Sequence, residues 1–303
     1  DPAQAESGHP DRVIPNRELR PSPTRPLKPD PEPCRLPETA WETRIMADLD
    51  STLSNLRVRI DAALMEALPP LPTPPRSVHE AMHYALLGAG KRIRPILCMV
   101  AAQSTGNHPE TAMIPACAIE MIHAFSLVHD DLPCMDDDDF RRGRPTCHKQ
   151  FSEAIALLAG DALVALAFSH IAQNAPAFCA LRLVRELAEA SGSEELIGGQ
   201  VFDLEAEGKP IALQHLQDIH RRKTGALIRY SLRAGAVTQE APEDEIMALD
   251  RFGTHLGILF QITDDILDIE GDPELLGKPI GSDQNNQKAT YPAIMGLEEA
   301  RHR

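Results

Sequence analysis

The sequence predicts an all-α protein, and three observations carry that prediction. From Trp41 onward apolar residues recur at spacings of three and four, the period of an amphipathic helix. No stretch alternates with a period of two, and no hairpin signal stands out. Several segments, such as "AIALLAGDALVALAFSHIA" (154–172), are apolar most of the way round, as helices buried inside a bundle are.

The elements follow in order. Residues 1 to about 40 hold ten of the 26 prolines and few large apolar side chains. Such a segment cannot bury enough surface to fold, so a disordered, extended tail is expected. From residue 41 to 303 the chain reads as one all-α domain. Ile45, Leu49, Leu53, Leu56, Ile60, Leu64 and Leu68 form one helical stripe, and "PPLPTPP" (69–75) ends it. Helical patterns follow at about 77–88, 91–105, 110–130, 151–172, 177–191, 194–207, 212–237 and 243–269, with a last piece after Tyr291.

Bulk composition narrows the function. The 303 residues are 43% apolar and 25% charged, ordinary for a globular protein. A net charge of −15 argues against nucleic acid as a partner, because phosphate backbones select basic surfaces. The six cysteines lack C-x-x-C pairing and read as reduced thiols of a cytoplasmic protein. No stretch looks apolar enough to span a membrane, so no membrane insertion is expected. The longest uncharged run, 162–181, is broken by polar residues and Pro176.

Two acidic clusters carry chemistry. In "HDDLPCMDDDDFRRGRP" (129–145) six carboxylates lie within ten residues and three arginines follow. A charge run of this kind is usually a solvated surface. The second cluster, "GILFQITDDILDIEGD" (257–272), argues otherwise. At helical spacing Gln261, Asp264, Asp265 and Asp268 share one stripe, while Phe260, Ile262, Ile266 and Leu267 fall mostly elsewhere. Like charges on one stripe repel unless a cation joins them, and Mg²⁺ favours hard oxygen ligands completed by water and phosphate. In the first cluster Pro133 disturbs the helix, so "LPCM" should turn Asp136 back towards Asp130. His123 lies two turns down the same helix from Asp130. Basic patches complete the pattern: Lys91 and Arg94 in "GAGKRIRP", Arg141, Arg142 and Arg144 in "FRRGRP", Lys223 beside Thr224, and Lys278 with Lys288. Two carboxylate clusters and several cationic patches suit two diphosphate groups, one held through metal and the other by side chains.

The stretches "GAGKRIRP", "EMIHAFSLVHDDLPCMDDDDFRRGRPTCH", "LAGDAL", "GGQVFDL", "KTGAL", "FQITDDILD" and "GKPIGSDQNNQKATYP" run in order from Ser77 to Pro292. On them the chain resembles the trans-type isoprenyl diphosphate (polyprenyl) synthases, above all the bacterial short-chain branch that makes farnesyl diphosphate. The resemblance implies the isoprenoid synthase fold, an antiparallel helix bundle around a central cavity with two aspartate motifs facing across its mouth. It implies a prenyltransferase that condenses isopentenyl diphosphate with dimethylallyl or geranyl diphosphate, using about three Mg²⁺ ions. Asp130, Asp136 and Asp264 would bind the metals, and Asp131, Asp265 and Asp268 would support them. Lys91, Arg94, His123 and Arg142 would hold isopentenyl diphosphate. Arg141, Lys223, Gln261 and Lys278 would hold the allylic diphosphate, with Thr224 near the reacting carbons. Phe125, five residues before the first aspartate, would limit product length to C15, although helix geometry puts it well off the face of Asp130. Geranylgeranyl diphosphate and a non-catalytic partner subunit are the alternatives. A homodimer is implied as well. Relatives continue beyond "GLEEARHR", so the domain reads as cut short at its C-terminal side.

Overall fold

Apolar runs wind into helices, and proline or glycine clusters end them. The computed structural model describes residues 40–271 and 288–303, with side chains from residue 48. The predicted tail (1–39) and Lys278 lie outside the described residues. Helix α1 (Ala40–Ala67) stops where "PPLPTPP" removes backbone donors. It buries Leu56, Ile60 and Leu64, and Leu68 follows into the core, whereas Leu49 stays exposed. Next come α2 (Arg76–Leu86), α3 (Ile93–Thr105), a 3-10 turn (Pro109–Ala112) and α4 (Met113–Asp130). Beyond the acidic loop lie β1 (Phe140–Arg141), β2 (Arg144–Pro145) and the short α5 (Cys147–Gln150). Helix α6 (Glu153–Asn174) is capped by Ser152, whose hydroxyl accepts from the Ile155 N–H at 3.2 Å. It is followed by α7 (Ala180–Ser191), α8 (Leu196–Ala206) and α9 (Leu213–His220). A π turn (Arg221–Gly225) joins α9 to α10 (Ala226–Val237). Helix α11 (Glu243–Glu270) opens on Glu243, Asp244 and Glu245, which complement its N-terminal dipole. The described chain ends with α12 (Tyr291–Met295) and α13 (Leu297–Arg301).

Helix α4 is the centre. Residues Pro115 to Ile122 are buried without interruption, so the helix is covered all round, by α2, α3, α6 and α10. Ile119 and Ile122 are fully buried, worth about 1.5–3 kcal/mol each. This burial fixes the direction in which α4 delivers its last turn, and that turn carries Asp130. Helix α11 packs on α10 and brings the second aspartate run to the same region. A smaller cluster of Leu216, Ile262 and Tyr291 seats α12 and α13 against α9 and α11. The residues from Met46 onward form one compact unit.

Three sequence expectations are corrected. The arginine-rich loop is a minimal hairpin, with Phe140 opposite Pro145 and Arg141 opposite Arg144. Its two-residue turn uses positive φ at Arg142 (53°) and Gly143 (73°), the backbone of a primed turn. Strands of two residues are too short to alternate, so no periodicity announced them. The single helix expected over 212–237 contains the π turn. Finally, Pro109–Asp130 and Glu153–Asn174 are long and apolar enough to cross a bilayer by length and composition. Scattered polar residues hid this, although most of the first stretch is buried inside the protein.

Candidate active site

The end of α4 builds the first wall. The Asp131 N–H donates to the Leu127 carbonyl at 3.1 Å and the Leu132 N–H to the His129 carbonyl at 3.1 Å. "LPCM" then closes on itself, and the Asp136 N–H returns to the Asp130 carbonyl at 2.8 Å. The proline-disturbed loop therefore brings Asp136 beside Asp130, as expected.

These carboxylates open on a cavity of about 260 Å³. Asp130, Asp136 and Asp138 line one side and Asp264 and Asp265 of α11 the other. Lys223, Thr224, Gln261, Arg141 and Lys288 line it too. The Thr224 hydroxyl donates to Gln261 Oε1 at 2.7 Å, joining the π turn to α11. Lys288 Nζ reaches Asp136 at 3.3 Å. Burial pushes the Asp130 carboxyl up to about 6; Lys223 pulls against this and Asp136 adds to it. Asp265 accepts from the Tyr291 N–H at 2.8 Å, which anchors α12. Asp268, expected on the same stripe, is buried and outside the lining. Seven residues bring Asp268 back to nearly the face of Gln261 but about 10 Å further along α11, beyond the opening.

A second, narrower cavity of about 70 Å³ lies on the other side of α4. It is strongly cationic: Arg92, Arg141, Arg142 and Arg144 line it with His123 and Glu120. Burial holds the His123 imidazole well below its ordinary range, and Arg94, Arg142, Arg141 and Arg92 add to the effect. His123 is thus neutral and takes a hydrogen bond from Arg94 at 3.3 Å through Nε2. Arg94 Nε is buried without a partner, an orphan donor in a cationic site. Lys91 is exposed, Arg94 is half-buried, and both lie outside the two linings. Asp131 turns to this side, where Arg141 holds it at 2.6 Å. Phe125 lines neither cavity; it packs on the core and meets the His129 ring edge-on at 4.8 Å.

Sequence reasoning missed several members. Asp203 in "GGQVFDL" pairs with Lys223 at 2.7 Å, and its signal was the one charge in that stretch. His220 lines the acidic cavity, its pKa lowered to about 4 by burial. Gly199 admits the π turn: a Cβ there would lie 2.3 Å from the Lys223 nitrogen. Arg92 is a buried clamp. It donates to Asp61 at 2.7 Å, to Glu120 at 2.7 Å and to the Gly88 carbonyl at 3.1 Å, from a left-handed backbone with φ of 52°. It ties the "GAGKRIRP" loop to α1 and to the helix that carries His123. Gly90 lies beside it, and a Cβ there would come within 2.8 Å of the Arg142 guanidinium and displace it.

The donor set of the larger cavity fits Mg²⁺. Its aspartates offer hard carboxylate oxygens, and one of them, Asp130, resists ionisation without a cation. Among the described residues, the three-ligand group already drawn within 4.8 Å is Asp137, Asp139 and His148, outside both linings.

Two aspartate-bearing helices face each other across an acidic cavity, with a cationic cavity alongside, in an all-α bundle. The profile of the family described as Polyprenyl synthetase matches residues 75–303. The farnesyl diphosphate synthase of Bacillus subtilis (strain 168) is 48% identical over 233 residues, 76% of this chain and 79% of that protein. That of Geobacillus stearothermophilus is 50% identical over 233 residues, 76% and 78% of the two chains. The crystal structure of a geranyltransferase from Helicobacter pylori, complexed with magnesium and isoprenyl diphosphate, aligns with a TM-score of 0.75 at 31% identity, covering 83% of this chain and 85% of that one. The chain belongs to the polyprenyl synthetase family.

Proposed function

We propose that this prenyltransferase condenses isopentenyl diphosphate with dimethylallyl and then geranyl diphosphate, giving farnesyl diphosphate in a Mg²⁺-dependent reaction. The observation that carries the reading is the joining of both aspartate motifs with Lys223, Thr224 and Gln261 around one cavity, directly beside a cationic one. Asp130, Asp136 and Asp264 would hold Mg²⁺, which supplies charge to stabilise the departing diphosphate. Lys223 and Arg141 add fixed positive charge at that leaving group, and Asp203 and Asp131 hold those two cations in place. Gln261 orients the Thr224 hydroxyl next to them. Isopentenyl diphosphate suits the second cavity, where Arg142 and neutral His123 present donors; Arg94 holds the His123 ring, and Lys91 would close over the site from the rim. Burial and the surrounding arginines make the His123 imidazole a poor base, so it competes weakly with the diphosphate for the proton lost at the end.

The assignment of farnesyl diphosphate as product is supported by the two bacterial relatives. Incubation with isopentenyl and dimethylallyl diphosphates plus Mg²⁺, followed by chain-length analysis, tests it. A C15 product is expected. Diphosphate release without condensation overturns the reading, and a C20 main product replaces farnesyl with geranylgeranyl. A homodimer is inferred from α6, whose Leu157 and Leu158 are exposed; sedimentation at micromolar concentration tests it. A cytoplasmic location without membrane insertion is inferred from the unbridged thiols Cys98, Cys117, Cys134, Cys147 and Cys179; cell fractionation tests it.

A further inference from the structure

Among the described residues, the two cavities share two lining residues, Arg141 and Leu127. Arg141 is held by Asp131, with Nε at 2.8 Å, so its cationic head is committed to that carboxylate. Leu127 is therefore the one apolar group common to both linings among the described residues. It sits half-buried in the last turn of α4, one turn before Asp131, whose N–H donates to the Leu127 carbonyl at 3.1 Å. On one side it adjoins the arginines and His123, on the other the carboxylates and Lys223.

We propose that Leu127 is a positioning residue that screens the allylic cation from water and directs its capture by the neighbouring alkene. This inference rests on the reaction proposed above. There the allylic C–O bond breaks and its electron pair leaves with diphosphate. The new C–C bond must form across the boundary between the cavities, because each diphosphate is anchored on its own side. The cation accepts the electron pair of the isopentenyl double bond, and a proton is lost. If water stands at the boundary, its lone pair forms a C–O bond instead, a proton is lost, and an allylic alcohol results. An isobutyl group has no lone pair to offer and fills the space that water would need. Truncation to alanine removes three carbon groups, enough for a water, whose share of liquid volume is about 30 Å³.

The test compares Leu127→Ala, Leu127→Val and Leu127→Met with wild type. Geranyl diphosphate, isopentenyl diphosphate and Mg²⁺ are supplied in ¹⁸O-labelled water. Released diphosphate, condensed product and labelled geraniol are measured together. Leu127→Ala should raise the ratio of alcohol to condensed product about tenfold, Leu127→Val should raise it less, and Leu127→Met, which conserves volume, should return it towards wild type. Isopentenyl diphosphate binding, followed by calorimetry, should stay within about threefold of wild type, because the diphosphate anchors are untouched. Should Leu127→Ala fail to fold, Leu127→Val decides alone. Wild-type condensation with an unchanged ratio in the truncated variants overturns this inference and leaves the proposed function standing. Wild type that makes no condensed product overturns both.

Discussion

Deleting the Arg92 guanidinium should destabilise the protein and loosen isopentenyl diphosphate binding, and the two effects can be separated. Arg92→Met keeps most of the side-chain length. The side chains of Arg92 and Glu120 are 4% and 5% exposed, so the variant leaves a buried carboxylate without its arginine. Breaking a buried pair in this way costs about 3–5 kcal/mol. Asp61 is 43% exposed and rehydrates, so its lost contact adds no more than about 1 kcal/mol. Methionine carries the same left-handed backbone penalty as arginine, so that contribution cancels. Each kcal/mol shifts the Tm of a domain this size by about 2–4 °C, which gives a fall of roughly 6–24 °C. Urea unfolding and scanning calorimetry measure it. The double variant Arg92→Met with Glu120→Leu should recover most of the stability, because an apolar pair in place of a buried ion pair is often neutral. The KM for isopentenyl diphosphate should stay raised in both variants, since neither ties the loop at 88–92 to α4. A single variant within about 1 kcal/mol of wild type would refute the burial argument. Recovery of KM together with stability would reduce Arg92 to a structural staple.

Asp130→Ala and Asp264→Ala should each lower turnover at least about 10³-fold while circular dichroism stays native; near-wild-type turnover sinks the metal assignment. In metal-stripped protein Asp130 holds its proton to about pH 6, against 3.8 in the unfolded chain, so stability falls as pH rises through that window, by about 3 kcal/mol in all. Asp130→Asn should abolish this fall, as urea midpoints taken below and above the window can check. Gly199→Ala would push a Cβ into the Lys223 backbone, so it should cost about 1–3 kcal/mol and disturb the π turn; turnover that survives intact refutes a role for that turn. Phe125→Ala should lengthen the product by at least one five-carbon unit; an active variant with an unchanged product shows that Phe125 is not the floor of the chain pocket.

The sequence by itself determined the helices, their order and the chemistry of the acidic cavity. Apolar residues repeating every three to four positions have one way to be buried, and that pattern is local. The turn of "LPCM" was legible for the same reason, since proline acts on its own neighbours. So was the facing of the two aspartate runs, once motif order was matched to a family. Tertiary structure alone decided which side each charge takes. Asp131 follows Asp130 in the chain yet points into the other cavity, because consecutive helical residues diverge by about 100°. Asp203 meets Lys223, and Arg92 meets both Asp61 and Glu120, across 20 to 31 residues of sequence. No periodicity records such meetings. Leu127 shows the limit most clearly: in the sequence it is one apolar residue of α4 among many, and it becomes the boundary between two cavities only because helices from distant parts of the chain close on either side of it.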